Sequence, residues 1–288
     1  MSQNESYIIY NGVLKKTEEP VFTSNNRALM YGDGFFETIF AFNNKIPFLS
    51  YHLDRINRAI RALHLIPIDL FTDLEELSSI ITYLARKNKL YKEYRIRLTV
   101  FRNDGGYYNP TDNSLSYFIQ TSPLPDNNFR FNTEGLKLGV YRDLTKDYSQ
   151  LSEFKTLNSL VYVLASHYAY MNRLDDVIIL NKNGNIVETS NSNIFFIVDN
   201  KIITPRVEDG CVNGIMRHII IYMLKDQGID VLEKSVTLDI LDKSEEIFLS
   251  NSLQGINFVS VFDSKRFINF VSRGISLNLE KKVSLFKS

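Results

Sequence analysis

The chain has 288 residues, 44% of them apolar and 23% charged, which is material for one large domain or two ordinary ones in a soluble globular protein. Lysine plus arginine equals aspartate plus glutamate at 33 each, so no net charge draws it to nucleic acid or an anionic membrane surface. A single cysteine, Cys211, excludes an internal disulfide and fits a reducing, cytoplasmic setting; the histidines (His52, His64, His167, His218) are too scattered for a metal site, no apolar run is long enough to span a membrane, and the first residues do not read as a signal peptide.

In chain order, SYIIYNGVL (Ser6 to Leu14) reads as two short strands about an Asn11-Gly12 turn. GFFETIFAFNNKIPFL (Gly34 to Leu49) reads as a second strand pair turning at Asn43-Asn44. SYHLDRINRAIRAL follows as a helix, with Ser50 as N-cap and a stripe of Leu53, Ile56, Ile60 and Leu63. DLEELSSIITYLARKN (Asp73 to Asn88) is a second helix. YRIRLTVFR alternates, with Ile96, Leu98 and Val100 on one face and Arg95, Arg97 and Thr99 on the other. LSYFIQTS (Leu115 to Ser122) is another strand, and SPLPDNN (Ser122 to Asn128), with two prolines, reads as a linker.

After it come a strand at GLKLGVYRD (Gly135 to Asp143) and a helix from Leu157 whose stripe of Leu157, Leu160, Val161, Leu164 and Tyr168 is expected to face the core. Asp176 to Pro205 reads as a strand meander with turns at Asn183-Gly184 and Asp199-Asn200. NGIMRHIIIYMLKDQG is a helix ended by Gly228, and Glu246 to Asp263 returns to strand. The expectation is a mixed α/β chain of two domains: residues 1–121, a linker at 122–128, and residues 129–288.

Three features could carry chemistry. Lys155 stands just before the helix, where the partial positive charge of a helix N-terminus would lower a lysine pKa and suit a Schiff-base amine; the alternative is a solvated surface lysine. In DGCVNGIMRHIII a glycine-containing loop (Gly210, Gly214) opens into a helix, so the free N–H groups of Ile215 and Met216 could cradle a phosphate, or simply start a helix. Glu188 enters a polar Ser/Asn run from a strand end, where it could pair with a cationic ring nitrogen or be a solvated edge glutamate.

Together and in this order, six stretches resemble the fold-type IV pyridoxal-phosphate enzymes (aminotransferase class IV), which include branched-chain aminotransferases, D-amino-acid aminotransferases and 4-amino-4-deoxychorismate lyases. They are RALMYGDGFFETIF from Arg27, HLDRI from His52, FKTLNSL around Lys155, ETSNSNIFF from Glu188, GCVNGIMR from Gly210 and LSNSLQGI from Leu249. The resemblance implies a smaller N-terminal α/β domain and a larger C-terminal one with pyridoxal 5'-phosphate in the cleft, a homodimer, and a small-molecule amino substrate. It makes Lys155 the internal-aldimine lysine and proton shuttle, and Glu188 the carboxylate that pairs with the ring nitrogen. Arg55, the backbone at Gly214, Ile215 and Met216, and Ser252 become the phosphate ligands. Tyr31, Phe36, Glu37, Arg97, Tyr107 and Leu253 are implied to line the substrate pocket, and Asn193 to be structural.

The resemblance to individual members diverges. Branched-chain enzymes place a tyrosine shortly after the lysine to contact the cofactor O3'; Ser159 and Leu160 occupy that region here, which leaves Asn158 as the candidate. FET and VNGIMR look lyase-like, yet Phe40 and Tyr107 stand where that substrate's anionic groups would want cations, with Arg95, Arg97 and Arg102 as possible substitutes. The expectation is a pyridoxal-phosphate-dependent aminotransferase, with aminodeoxychorismate lyase as alternative. A third reading, a non-catalytic ligand-binding relative, is disfavoured by the presence of Lys155, Glu188 and Arg55 together.

Overall fold

Where the sequence alternates, the structure, a computed structural model that describes residues 6–71, 73–126 and 129–284, has strand. Two compact units emerge. The N-terminal unit runs to Asn128 and regains the short segment Phe154–Asn158, while the C-terminal unit holds Phe129–Glu153 and resumes at Ser159.

The N-terminal unit contains β1 (Tyr7–Tyr10), β2 (Val13–Lys16), α1 (Arg27–Tyr31), β3 (Gly34–Phe42), α2 (Leu49–Ala62), α3 (Leu74–Lys87), β4 (Glu93–Arg102) and β5 (Leu115–Pro123). Its sheet is antiparallel throughout, in the order β2-β1-β5-β4-β3. Asn11 and Gly12 both take positive φ, the pair of left-handed residues that a two-residue hairpin needs. Ile96, Leu98 and Val100 are buried, as their alternation requires, and α2 packs on β3 while α3 packs on β1 and β5. Asp73 caps α3 by accepting the Glu76 N–H at 2.8 Å.

Two local expectations change. The chain does turn at Asn43-Asn44, but only Lys45 pairs back, with Phe42, before the chain enters α2. Pro47 has no N–H to continue a ladder, and β3 instead pairs with β4 along its whole length. Helix α2 also starts one residue before Ser50, with Phe48 in the N-cap position, so Ser50 lies in the first turn. At the expected linker, Ser122 and Pro123 complete β5 opposite Arg95 and Tyr94; Asn127 and Asn128 lie outside the described residues.

The C-terminal unit contains β6 (Leu136–Tyr141), α4 (Leu160–Met171), β7 (Asp176–Leu180), β8 (Ile186–Thr189), β9 (Asn193–Val198), β10 (Lys201–Pro205), α5 (Ile215–Asp226), β11 (Val231–Lys234), α6 (Ile240–Lys243), β12 (Glu246–Asn251), β13 (Gly255–Phe262), β14 (Lys265–Arg266) and α7 (Phe270–Ser284). The strand order is β11-β10-β9-β12-β13-β6-β7-β8, with β14 on β13. β7–β8 and β9–β10 are the expected antiparallel pairs, but β9 takes β12 as its other neighbour, so the run from Asp176 to Pro205 is two hairpins rather than one meander. Ile178, Ile194, Phe196, Ile247 and Val259 form the centre of the unit's core.

Helix α4 turns a different face inward from the one its leucines suggest. Ala165 and Ala169 are buried against Tyr141, Val177 and Ile179, and Val161 and Tyr168 of the expected stripe pack against the same cluster, whereas Leu160 is 72% exposed and Leu164 44%. The two alanines, four residues apart, let the helix come close to β6 and β7; leucines at those positions would hold it off.

Candidate functional site

In the N-terminal unit the segment that carries Lys155 behaves as an extra edge on β3. The Phe36 N–H donates to the Lys155 carbonyl at 2.8 Å, and the Leu157 N–H to the Gly34 carbonyl at 3.0 Å. Helix α4 begins only at Leu160, with Ser159 as N-cap, so Lys155 lies outside the first turn. A helix dipole acts within that turn, so the sequence-based reason for a reactive Lys155 does not hold. What the fold supplies instead is a location. Lys155 Nζ lies 5.6 Å from the Phe36 ring centroid, and the Arg97 guanidinium stacks on the same ring at 3.8 Å.

Phe36, Arg97 and Arg95 share one face of the sheet, since Thr38 pairs with Arg97 and Phe40 with Arg95 in the β3–β4 register. Burial and the neighbouring Arg95 charge lower the Arg97 pKa from its usual value. Neither arginine meets a carboxylate among the described residues, and Arg95 Nε and Thr99 Oγ1 are buried on this face without a hydrogen-bond partner. Two adjacent cations over an aromatic floor, with unfilled donors, are suited to an anion.

Glu37 points the other way. Adjacent residues on a strand face opposite sides, so Glu37 cannot line the surface that Phe36 lines; it is 2% exposed and is enclosed by α2. Arg55 Nε donates to Glu37 Oε1 at 2.7 Å and Nη2 to Oε2 at 2.8 Å, and His52 Nδ1 lies 2.8 Å from Oε2. Burial alone would raise the Glu37 carboxyl, but the Arg55 charge and the hydrogen bonds from His52 and Arg55 outweigh it and hold its pKa at about 2. His52 is shifted down, chiefly by its burial, so it is a neutral ring that donates from Nδ1. Arg55, expected as a phosphate ligand, therefore has two of its five donors fixed on Glu37 before any ligand is considered.

The remaining expectations in this unit divide. Tyr31 is half-buried, with Tyr108 at 5.5 Å between ring centroids and the Arg27 guanidinium at 4.9 Å. Tyr107 and Tyr108 are 82% and 90% exposed on a loop that Arg27 Nη1 holds by the carbonyls of Gly105, Gly106 and Tyr107. Arg102 is not available to a substrate, because it is buried and bonded to Asp33, Asn113 and the Leu63 carbonyl. Asn158, the sequence candidate for the cofactor O3', gives its amide to the Gly32 carbonyl at 3.1 Å and so serves the end of α1.

In the C-terminal unit Glu188 is not a solvated edge residue: it is 3% exposed. Its Oε1 accepts from Lys146 Nζ at 2.8 Å and Tyr162 Oη at 2.7 Å, and its Oε2 from the Val212 N–H at 3.1 Å. Burial first, and then the Glu188 charge, push the Tyr162 phenol well above its usual pKa, so it is a permanent donor. Sequence reasoning missed both Lys146 and Tyr162. Tyr162 sat inside a run of helix-forming apolar residues, and Lys146 in a loop with no motif around it.

Helix α5 opens as expected. Gly214 is its N-cap, without a side-chain cap, so the first-turn N–H groups at Ile215 and Met216 have no intrahelical acceptor. Asn193 donates Nδ2 to the Val212 carbonyl at 2.9 Å, which ties β9 to the loop before α5, and a Cβ on Gly214 would stand 2.0 Å from Asn193 Oδ1. Further along the chain, Ser250 Oγ on β12 is buried with no partner among the described residues, Ser252 is half-buried in the β12–β13 turn, and the Leu253 N–H closes that turn on Asn251 Oδ1. An uncapped helix start, an orphaned hydroxyl and a buried carboxylate are what a phosphate and a protonated ring nitrogen require, so the donor set fits pyridoxal 5'-phosphate. Among the described residues no helix is long and apolar enough to cross a membrane, and no cluster of three His, Cys, Asp or Glu could hold a metal.

The sequence profile of the family described as Amino-transferase class IV matches residues 34–262. The D-alanine aminotransferase of Staphylococcus epidermidis is 26% identical over 290 aligned residues, covering 96% of this chain and 97% of that one. A branched-chain aminotransferase from Thermoproteus uzoniensis, solved with norvaline, superimposes with a TM-score of 0.86 at 25% identity and covers 98% and 95% of the two chains. The 4-amino-4-deoxychorismate lyase of Pseudomonas aeruginosa superimposes with a TM-score of 0.81 at 25% identity, covering 95% and 98%.

Proposed function

Because this chain belongs to the aminotransferase class IV family, enzymes that use pyridoxal 5'-phosphate, we propose that it transfers the amino group of an amino acid that carries a second anionic group. The observation that carries this reading is the Lys155 amine beside Phe36, with Arg97 stacked on the same ring and Arg95 next to it, both guanidiniums lacking a carboxylate among the described residues.

The cofactor supplies an aldehyde that condenses with amines and a ring that draws electrons from the substrate Cα. The chain supplies the rest. Lys155 would hold the cofactor through its amine and would serve as the base that moves the proton at the substrate Cα. Glu188 keeps the ring nitrogen protonated. The α5 N-terminus and Ser252 bind the phosphate, with Arg55 held in place by Glu37. Arg97 and Arg95 receive the substrate's extra anionic group, over the floor made by Phe36. The exposed, charge-free stripe of Leu160, Val163, Leu164, Tyr170 and Met171 on α4 supports a homodimer, and a buried, reduced Cys211 is in keeping with the cytoplasm.

The same uncompensated arginines favour a second reading, aminodeoxychorismate lyase, whose substrate is a dicarboxylate. Side-by-side assays of the purified enzyme separate the two. Keto-acid formation that requires a second keto-acid acceptor is expected for the aminotransferase; pyruvate release from aminodeoxychorismate without an acceptor would assign the lyase instead. A protein that remains colourless with added pyridoxal phosphate, and that borohydride does not label at Lys155, would overturn both.

A further inference from the structure

Lys146 follows β6 and sends its ammonium inward, its side chain 12% exposed against 4% for Glu188. Its Nζ meets acceptors from three separate stretches of chain: Glu188 Oε1 at 2.8 Å, the Ser152 carbonyl at 3.2 Å, and the Gly210 carbonyl in the loop that leads to α5. Its backbone is held as well, with the N–H on the Leu180 carbonyl at 2.9 Å. An ammonium has three donors, and all three are placed.

The consequence lies in how the two oxygens of Glu188 are shared. Oε1 takes both side-chain donors, Lys146 and Tyr162, and the ammonium lies 5.6 Å from the Tyr162 ring centroid. Among the described residues Oε2 takes only the Val212 N–H. A carboxylate oxygen offers about two lone-pair directions in its plane, so Oε1 is filled and Oε2 keeps one.

We propose that Lys146 is a positioning residue which, with Tyr162, fills Oε1 and so selects Oε2 as the oxygen that receives the ring N–H of the cofactor. The inference rests on Glu188 being the partner of that nitrogen. A lysine that merely filled space would support every ligand of the site equally; one that aims Oε2 matters only to a ligand with a ring nitrogen.

The test compares two probes by direct binding: pyridoxal 5'-phosphate and its 1-deaza analogue, in which carbon replaces the ring nitrogen. Lys146→Met is expected to weaken pyridoxal 5'-phosphate at least tenfold and the deaza analogue less than threefold, with Tyr162→Phe giving a smaller loss confined to the first probe. Equal losses for both probes, or no loss, would overturn the inference and leave the role of Glu188 intact. A wild-type protein that does not prefer pyridoxal 5'-phosphate to the deaza analogue would overturn the reading of Glu188 itself. Should Lys146→Met fail to fold, Tyr162→Phe, which empties the other position on Oε1 and leaves Glu188 in place, carries the test: a loss confined to pyridoxal 5'-phosphate is expected, and equal losses for both probes or no loss would overturn the inference.

Discussion

Glu37 and Arg55 meet in a two-point ion pair with no access to water, Nε to Oε1 at 2.7 Å and Nη2 to Oε2 at 2.8 Å. One residue is on β3 and the other on α2, so the pair fixes the helix against the strand. Glu37→Gln takes away the carboxylate that neutralises Arg55, and is expected to cost roughly 3 kcal/mol of stability, measured by urea denaturation. A loss below about 1 kcal/mol would mean that the pair is incidental to the fold.

The same cluster predicts an acid limb. Glu37 titrates at about 2 in the fold against 4.5 for the free side chain, so its contribution, on the order of 3 kcal/mol, is complete above pH 4.5 and is lost as the pH falls towards 2. His52, also shifted down, must take up a proton on unfolding, so its contribution is lost as the pH falls below 6.5. Both act in one direction: stability should decline from about pH 6.5 downwards, and Glu37→Gln should flatten the part below pH 4.5. A variant whose acid limb matches the wild type would contradict the assignment.

Gly214 is constrained by contact rather than by φ. A Cβ there would lie 2.0 Å from Asn193 Oδ1, so Gly214→Ala must displace Asn193 or the start of α5. Binding of pyridoxal 5'-phosphate should weaken by about tenfold or more, equivalent to about 1.4 kcal/mol, measured by fluorescence titration. Unchanged affinity would argue that the α5 N-terminus is not the phosphate site.

Helix α4 offers two opposite tests. Ala169→Leu adds bulk to a closed contact with β6 and β7 and should cost about 1–3 kcal/mol in denaturation. Leu160→Glu with Val163→Glu alters only exposed positions, so it should leave protomer stability within about 0.5 kcal/mol and convert dimer to monomer on a sizing column. An unchanged elution volume would remove α4 from the interface.

Arg27 holds the Tyr107–Tyr108 loop by three carbonyls while Asp33 holds Arg27 at 2.8 Å. Arg27→Gln should raise hydrogen exchange across residues 104–112 with little change in β4. Equal protection in the variant would show that the loop keeps its own shape.

Sequence alone was enough for the alternation of β4, the Asn-Gly hairpin and the start of α5, because each rests on short-range rules: strand period two, left-handed turn residues, uncapped amides. Family resemblance was legible for the same reason, since its motifs are local runs of residues. What lay beyond those rules was every choice made between distant segments. Which face of α4 turns inward depended on the closeness of β6 and β7, so two alanines won over two leucines. Whether Glu37 served the substrate side or the helix side depended on the register of β3 with β4 and on α2 behind it. Lys155 proved to be placed by hydrogen bonds to β3 rather than by a helix dipole, a pairing across more than a hundred residues of chain that no local pattern announces. Lys146 and Tyr162 escaped notice because their importance lies only in sharing one oxygen of Glu188, and such convergence exists only once the chain has folded.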